Sequence, residues 1–242
     1  MKAYQRIVRE KLALVEPAPP IRLDPHTCII KQVPISEIKD TLLKYEWLKC
    51  LHSINLFAYG LFFENYLAAA TTYGPDYAEN LGVWDRYNFT GKIILLSRGC
   101  CVHWAPPYCA SKLIRGSMDL LPKKYEIVTA TVDELAGEIG TVYQASGFFY
   151  CGVMRKTPTR IGVMHDGKLY GSRSLRAKFG TQIMDVILKK WPDAKIVKQK
   201  SKARYFAFRG SHKIKERHYQ SIAPLIKPYP KREVNVLHTK YL

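Results

Sequence analysis

Acidic residues are scarce in the second half of this sequence. Residues 151–242 contain 5 Asp and Glu against 22 Lys and Arg, a net charge of +17, whereas residues 1–150 contain 15 against 16. This asymmetry predicts a polyanionic partner. Nucleic acid is the first candidate, because Lys and Arg that neutralise phosphates release counterions. A membrane surface is the second.

Three other features are missing. None of the six cysteines forms a C-x-x-C pair, which argues against a zinc knuckle or a redox dithiol, and we expect reduced, intracellular cysteines. The N-terminus carries no secretory signal. The most apolar run, residues 54–73, is interrupted by Glu64 and Asn65, so no membrane-spanning helix is predicted. Of the two polyanions, we predict nucleic acid as the partner and not a membrane.

What is present is a pattern of short strands and amphipathic helices. An apolar content of 47% is enough for a buried core. Strands are predicted at 28–30, 92–97, 127–132, 148–153 and 204–209, hairpins at 55–74 and 160–170, and helices at 36–49, 111–121, 140–146 and 174–191. The order predicts an α/β fold with a single mixed sheet flanked by helices. We divide the chain into an N-terminal arm (1–25), a catalytic domain (26–210) and a basic C-terminal tail (211–242).

Four residues are candidates for chemistry at one edge of this sheet. Arg98 and Asp133 each follow a strand at its carboxyl end, where open α/β sheets bind ligands. Arg98 can hold an anion and Asp133 can accept a proton, although a salt bridge and a turn cap are the alternatives. Tyr143 is either a general acid or a core tyrosine, and Ser111 is either a site residue or a helix cap.

The loop between Arg98 and Ser111 lacks the glycines of a phosphate cradle, since it contains Pro106 and Pro107 instead. Basic residues of the second half are the predicted DNA contacts. They are Lys202, Arg204, Arg209, Lys213, Lys215 and Arg217.

Several of these motifs resemble known families. The run Tyr143-Gln-Ala-Ser-Gly-Phe-Phe149 is similar to the last motif of the GNAT acyltransferase superfamily. More narrowly, Leu96-Ser-Arg98, Ala110-Ser-Lys-Leu-Ile114, Asp133 and Gly140-Thr-Val-Tyr-Gln-Ala145 resemble the Mom family of bacteriophage DNA-modifying proteins. The resemblance covers roughly residues 54–232.

The resemblance implies conversion of adenine in double-stranded DNA to 6-(carbamoylmethyl)adenine in the host cytoplasm, which protects phage DNA from restriction. It implies that Asp133 and Tyr143 handle the adenine amino group, that Arg98 and Ser111 hold the donor, and that the adenine is flipped out of the helix. The fold resemblance makes acetyl-CoA a candidate donor, and the family resemblance makes iron a candidate cofactor.

The sequence offers no convincing iron ligand set; the nearby candidates are His52, His103, Cys100 and Cys101. Trp47-Leu48 also stands where related proteins often have His-Tyr. Two alternative functions remain open at this point. One is an ordinary GNAT N-acyltransferase acting on a protein or small-molecule amine, and the other is a non-catalytic DNA-binding protein on the same scaffold.

Overall fold

A mixed seven-stranded sheet lies at the centre of the protein, described here from a computed structural model over residues 2–76, 85–133, 136–153, 160–166, 168–199 and 202–231. The strands, in chain order, are β1 (Ile29–Gln32), β2 (Phe57–Phe63), β3 (Tyr66–Gly74), β4 (Lys92–Cys101), β5 (Tyr125–Val132), β6 (Phe149–Val153), β7 (Arg160–His165), β8 (Lys168–Gly171), β9 (Lys195–Gln199) and β10 (Ala203–Phe208). The large sheet has the order β1-β2-β3-β4-β5-β10-β6, and its one parallel pair within the described residues is β4 with β5.

Helices cover both faces of this sheet, so the predicted α/β class with a flanked mixed sheet is confirmed. They are α1 (Tyr4–Ala13), α2 (Ile35–Tyr45), α3 (Cys109–Leu120), α4 (Thr141–Ala145), α5 (Ser172–Phe179), α6 (Met184–Lys190) and α7 (His212–Ile222). The apolar stripes of α2 and α3 pack into one large core with strands β2 to β5. Within it, the buried hydroxyls of Tyr73 and Ser117 are 2.7 Å apart and tie β3 to α3.

Several predicted elements have different bounds in the structure. Residues 1–25 contain the helix α1 rather than only an extended arm. The helix predicted at 36–49 spans Ile35–Tyr45, and Ser36 does not cap it. The helix predicted at 174–191 is two helices, since Gly180 adopts a left-handed φ of 71° between α5 and α6 and ends the first. Consequently Ile183, which a single continuous helix would have included, lies just before α6 and is 62% exposed.

Both predicted hairpins are confirmed, but the second belongs to a different sheet. Strands β2 and β3 pair around Glu64, which takes the positive φ of the turn. Strands β7 and β8 also pair, with Asp166 at the turn; its predicted partner, Gly167, lies outside the described residues. This second hairpin does not join the large sheet but forms a three-stranded sheet with β9, in the order β8-β7-β9, so the prediction of a single sheet is wrong.

Strands β4 and β5 separate halfway along their length. They are paired from Lys92 and Tyr125 up to Leu95 and Thr129. Beyond that point β4 continues alongside β3 and β5 continues alongside β10. An irregularity at Ser97 accompanies the separation, because Thr72 of β3 pairs with Arg98 while the next residue of β3 pairs with Leu96. The result is a wedge-shaped opening between two central strands.

Candidate functional site

Arg98 lies inside β4, at the opening between the central strands. The sequence analysis placed it at the end of a shorter strand, but β4 continues to Cys101 because β3 provides a pairing edge for three more residues. The guanidinium is buried, and its Nε donates to the carbonyl of Cys50 over 2.7 Å. One Nη donates to the carbonyl of Ser97 over 2.6 Å. Arg98 is therefore a fixed positive charge beneath the opening.

Glu46 is a buried carboxylate next to this charge, and the sequence analysis missed it. It directly follows α2, is only 6% exposed, and accepts a hydrogen bond of 2.8 Å from the backbone N–H of Leu48. Burial raises the pKa of Glu46 to about 7, although the positive charges of Arg98 and Lys202 act in the opposite direction. A carboxyl group that titrates near neutral pH in a cleft is a typical proton acceptor or donor.

Glu138 is a second carboxylate that the sequence analysis missed. Its Oε1 accepts the indole N–H of Trp47 over 3.0 Å, and its Oε2 accepts the backbone N–H of Asp133 over 3.3 Å. Burial also raises the pKa of Glu138. Because Trp47 is adjacent to Glu46 in the chain, one short segment positions both acids.

Asp133 and Tyr143 lie in the same region as these acids. Asp133 follows the last residue of β5 and is buried, and its carbonyl accepts the backbone N–H of Ala136 over 2.9 Å. Tyr143 comes from α4, with its ring 5.5 Å from those of Phe148 and Tyr205. Burial raises the pKa of the Tyr143 phenol, and the negative charges of Glu138 and Glu46 add to the effect. Tyr143 therefore remains protonated at physiological pH.

Ser111 lies in the first turn of α3. It is not the cap of that helix, because α3 begins at Cys109, and its hydroxyl donates to the carbonyl of Tyr108 over 3.1 Å. The structure thus places Arg98 and Tyr143 near Glu46 and Glu138, the two acids that were not predicted. Asp133 joins this group because its backbone N–H is bonded to Glu138. Ser111 lies two residues inside α3, directly after the β4–α3 loop.

The six predicted DNA contacts fall into different places. Lys202 lies beside the acids, where its charge lowers the pKa of Glu46. Arg204 is buried instead, with Nη1 2.9 Å from Asp76 Oδ2 and 2.8 Å from Thr129 Oγ1. Arg204 therefore lies in the interior, and its prediction as a DNA contact is wrong.

Arg209 and Arg217 contact protein groups at the end of β5 opposite to Asp133. Arg209 donates to backbone carbonyls around the end of α3, one of them that of Leu121 at 2.7 Å. Arg217 forms a 2.8 Å ion pair with Glu126. Lys213 and Lys215, on the same helix as Arg217, are exposed.

The N-terminal helix α1 contacts two segments that position the site. Gln5 accepts the backbone N–H of Trp47 over 3.1 Å, and the Tyr4 ring lies 5.6 Å from the Trp47 ring. Arg9 donates to carbonyls of the β4–α3 loop. Residues 1–25, interpreted from sequence as a surface arm, therefore hold both the tryptophan that binds Glu138 and the loop that precedes Ser111.

Replacing Arg9 by Ala should destabilise the β4–α3 loop. The guanidinium donates to the carbonyls of Val102, His103 and Ala105 at 3.1, 3.4 and 3.0 Å. Loss of these bonds should lower the free energy of unfolding by about 2 kcal/mol, measured by urea titration. The matched control is Arg6→Ala on the exposed side of the same helix, which should change little. Equal effects of the two substitutions would contradict this role.

The β4–α3 loop does not fit the pyrophosphate of coenzyme A in the usual way. A phosphate cradle presents backbone N–H groups, yet three carbonyls of this loop face Arg9, and Pro106 and Pro107 have no N–H. The candidate iron ligands do not fit either. Burial raises the pKa of the Cys100 thiol, which disfavours the thiolate form that would bind a metal. Among the described residues no group of three His, Cys, Asp or Glu side chains is arranged to hold a metal.

A cavity of about 290 Å³ lies against the segment that positions the site. One wall consists of residues 47–50, whose Trp47 binds Glu138 and whose Cys50 binds Arg98. The facing wall comes from β8 and α5 and includes Tyr170 and Lys178. The volume is close to the lower limit of small-ligand pockets, about 300 Å³.

Strands β4 and β5 separate beside a buried Arg, two acids and a phenol, and this arrangement defines an α/β protein with a polar cluster between its central strands. The model of the Mom protein family matches residues 27–231. The chain belongs to the Mom protein family. The helix α1 precedes the matched segment, whereas every candidate site residue lies within it.

Solved structures similar to this chain are N-acetyltransferases. Arabidopsis thaliana NAA60 in complex with acetyl-CoA is 10% identical with a TM-score of 0.43, covering 76% of this chain and 100% of that one. An N-acetyltransferase from Staphylococcus aureus Mu50 is 11% identical with a TM-score of 0.40, covering 75% and 98%. Drosophila melanogaster polyamine N acetyltransferase is 10% identical with a TM-score of 0.39, covering 75% and 100%. A search of the curated proteins finds no match. No helix in the described segments is long and apolar enough to cross a bilayer.

Proposed function

We propose that this protein is a transferase that modifies the 6-amino group of adenine in double-stranded phage DNA, in the host cytoplasm, to give 6-(carbamoylmethyl)adenine. The match to the Mom family over residues 27–231 carries this proposal. The net charge of +18 supports a DNA substrate. The modified base would protect the phage DNA from host restriction.

The cluster of acids supplies the proton chemistry that such a reaction needs. When the adenine nitrogen forms a bond to carbon, one of its two N–H protons must leave. Glu46, with a pKa near 7, is partly ionised at neutral pH and is our candidate acceptor of that proton. Tyr143 and Asp133 would orient the amino group, the first as a hydrogen-bond donor and the second as an acceptor.

Arg98 would act on the donor rather than on the adenine. It is a permanent positive charge at the opening between β4 and β5, held by the carbonyls of Cys50 and Ser97. In that position it can bind a carboxyl, carbonyl or amide oxygen of the transferred group. Ser111 would contact the same donor from the first turn of α3. Acetyl-CoA alone does not account for this product, because acyl transfer would give an N-acetyl group, whereas a carbamoylmethyl group is joined to the adenine nitrogen through its CH2 carbon. As a donor it would also need a nitrogen source, an oxidant at its methyl carbon and a binding mode that does not use the β4–α3 loop as a pyrophosphate cradle.

The direct test is mass spectrometry of nucleosides from plasmid DNA of cells that express the chain. We expect a deoxyadenosine species heavier by one carbamoylmethyl group. Unmodified DNA in the presence of folded protein would contradict the proposal. Tight coenzyme A binding without DNA affinity would then favour an ordinary N-acyltransferase. Salt-sensitive DNA binding without modification would favour a non-catalytic DNA-binding protein.

Asp133→Ala and Tyr143→Phe should each abolish the modified nucleoside while DNA binding is retained. The reason is that both residues would act on the amino group after the DNA has bound, whereas affinity comes from phosphate contacts. Nucleoside mass spectrometry gives the first readout and fluorescence anisotropy with a labelled duplex gives the second. Full modification by either variant would remove that residue from the site, and loss of DNA binding would show a structural role instead.

A further inference from the structure

The large sheet is interrupted by an inserted unit between β6 and β10. Residues 154–202 leave the sheet after Val153 and return at Ala203, and between these points lie β7, β8, β9, α5 and α6. This insertion has its own small core, in which Val163, Leu175 and Ile187 are buried. The ring of Trp191 closes that core by packing on His165, with ring centroids 4.1 Å apart.

The insertion is attached at the same end of the sheet as the candidate site. Ala203 pairs with Val153 on one side and with Val132 on the other. Val132 immediately precedes Asp133, so both ends of the insertion are level with the start of the acid cluster. The cavity beside Trp47 and Cys50 is completed by Tyr170 and Lys178, which belong to the insertion.

The C-terminal helix is attached at the other end. β10 runs away from the site, so that Phe208 pairs with Ile127, and α7 begins four residues later. Arg217 and His218 of α7 both contact Glu126, each at 2.8 Å. Asp133 comes seven positions after Glu126 along β5, a distance of roughly 23 Å at the rise of an extended strand.

Charge is concentrated on the insertion. Residues 154–202 contain 13 Lys and Arg against 3 Asp and Glu, a net charge of +10 out of +18 for the whole chain. In the described part of the insertion, six exposed basic residues form no ion pair with an acidic side chain. They are Arg176, Lys178, Lys189, Lys190, Lys195 and Lys198. By contrast, Arg204, Arg209 and Arg217 outside the insertion are engaged with protein groups.

We propose that the insertion, rather than the C-terminal tail, is the surface that docks duplex DNA. This inference rests on the proposed DNA-modifying function. Uncompensated Lys and Arg side chains bind phosphates, and here they lie at the site end of the sheet.

The test compares two matched charge reversals. Lys195→Glu with Lys198→Glu alters exposed positions of β9, and Lys213→Glu with Lys215→Glu alters exposed positions of α7. Both change the net charge by the same amount. Binding to a labelled 25-base-pair duplex is measured by anisotropy across a salt series. We expect the insertion pair to lower the affinity by about tenfold or more and the salt slope by about 2, with little effect of the tail pair.

Three results would overturn the inference. They are a larger loss in the tail pair, equal losses in both pairs, and loss of binding to anionic lipid vesicles in the insertion pair while DNA binding stays intact. Circular dichroism checks folding, and the neutral pair Lys195→Gln with Lys198→Gln provides a milder variant with the same expected direction. Nucleoside mass spectrometry of wild-type-expressing cells keeps the two proposals separate. Modified DNA together with an unaffected insertion pair would leave the function intact and reject only the docking surface.

Discussion

Glu46→Gln should reduce DNA modification by about 10²- to 10⁴-fold, the range typical for loss of a general base. The amide keeps an oxygen that can accept the Leu48 N–H, so the local fold should persist. In wild-type protein the rate should rise with pH through about 7, because the base must be ionised to accept a proton. In the variant this limb should disappear. Extracts of expressing cells, which supply the donor, allow the pH profile to be measured.

A stability measurement tests the raised pKa of Glu46 independently of activity. The pKa is higher in the folded than in the unfolded state, so the folded protein binds the proton more tightly between pH 4.5 and 7. The wild type therefore loses stability across this range as the pH rises, and the loss is complete above pH 7. Glu46→Gln should be more stable than the wild type by about 1 to 3 kcal/mol at pH 8 and equal to it below pH 4.5. A difference that does not vary with pH would contradict the assignment of Glu46 as the base.

Arg204→Met should destabilise the protein by about 3 to 5 kcal/mol, because it leaves Asp76 as a buried carboxylate without its cation. Both side chains are about 6% exposed. The measurement is the free energy of unfolding in urea. The pair Arg204→Met with Asp76→Leu should recover much of the loss, since replacing both charges by apolar groups of similar size removes the uncompensated charge.

The same variants distinguish a structural from a DNA-binding role of Arg204. If Arg204 bound phosphate, the double variant would fold but bind DNA less tightly, with a smaller salt slope. We expect instead that the folded double variant binds DNA like the wild type. Lys213→Ala is a suitable control for the unfolding experiment, because that exposed side chain should contribute little. A stability loss below about 1 kcal/mol in Arg204→Met would contradict the buried ion pair.

Local patterns in the sequence were sufficient to predict most of the core strands. The apolar runs of β2 and β3 on either side of Glu64 and Asn65 predicted a hairpin, and the β-branched run of β5 predicted a buried strand. Boundaries were less predictable, because pairing partners decide them. β4 extends to Cys101 since β3 is available beside it, which moves Arg98 from a loop edge into the strand.

The two acids of the site could not be predicted from their local sequence. Glu46 follows an amphipathic helix and Glu138 lies between two glycines, positions at which an acid is usually solvated. Only the packing of the Trp47 segment against the end of β5 brings them into one cluster, in which Glu46 is buried and Glu138 half-buried. The burial of basic residues could not be predicted either. The sequence shows a basic second half, but it does not show that Arg204 is buried.

The sequence by itself determined the α/β class, the succession of core strands along the chain, the family and the strongly basic second half, because periodicity, motifs and composition are local properties of the chain. The tertiary structure alone decided which charges meet. It separated β4 from β5, buried Glu46 and half-buried Glu138 near Arg98, and placed the insertion at the site end of the sheet and α7 at the other. These results depend on strand pairing and desolvation between residues distant in sequence, which no local pattern encodes.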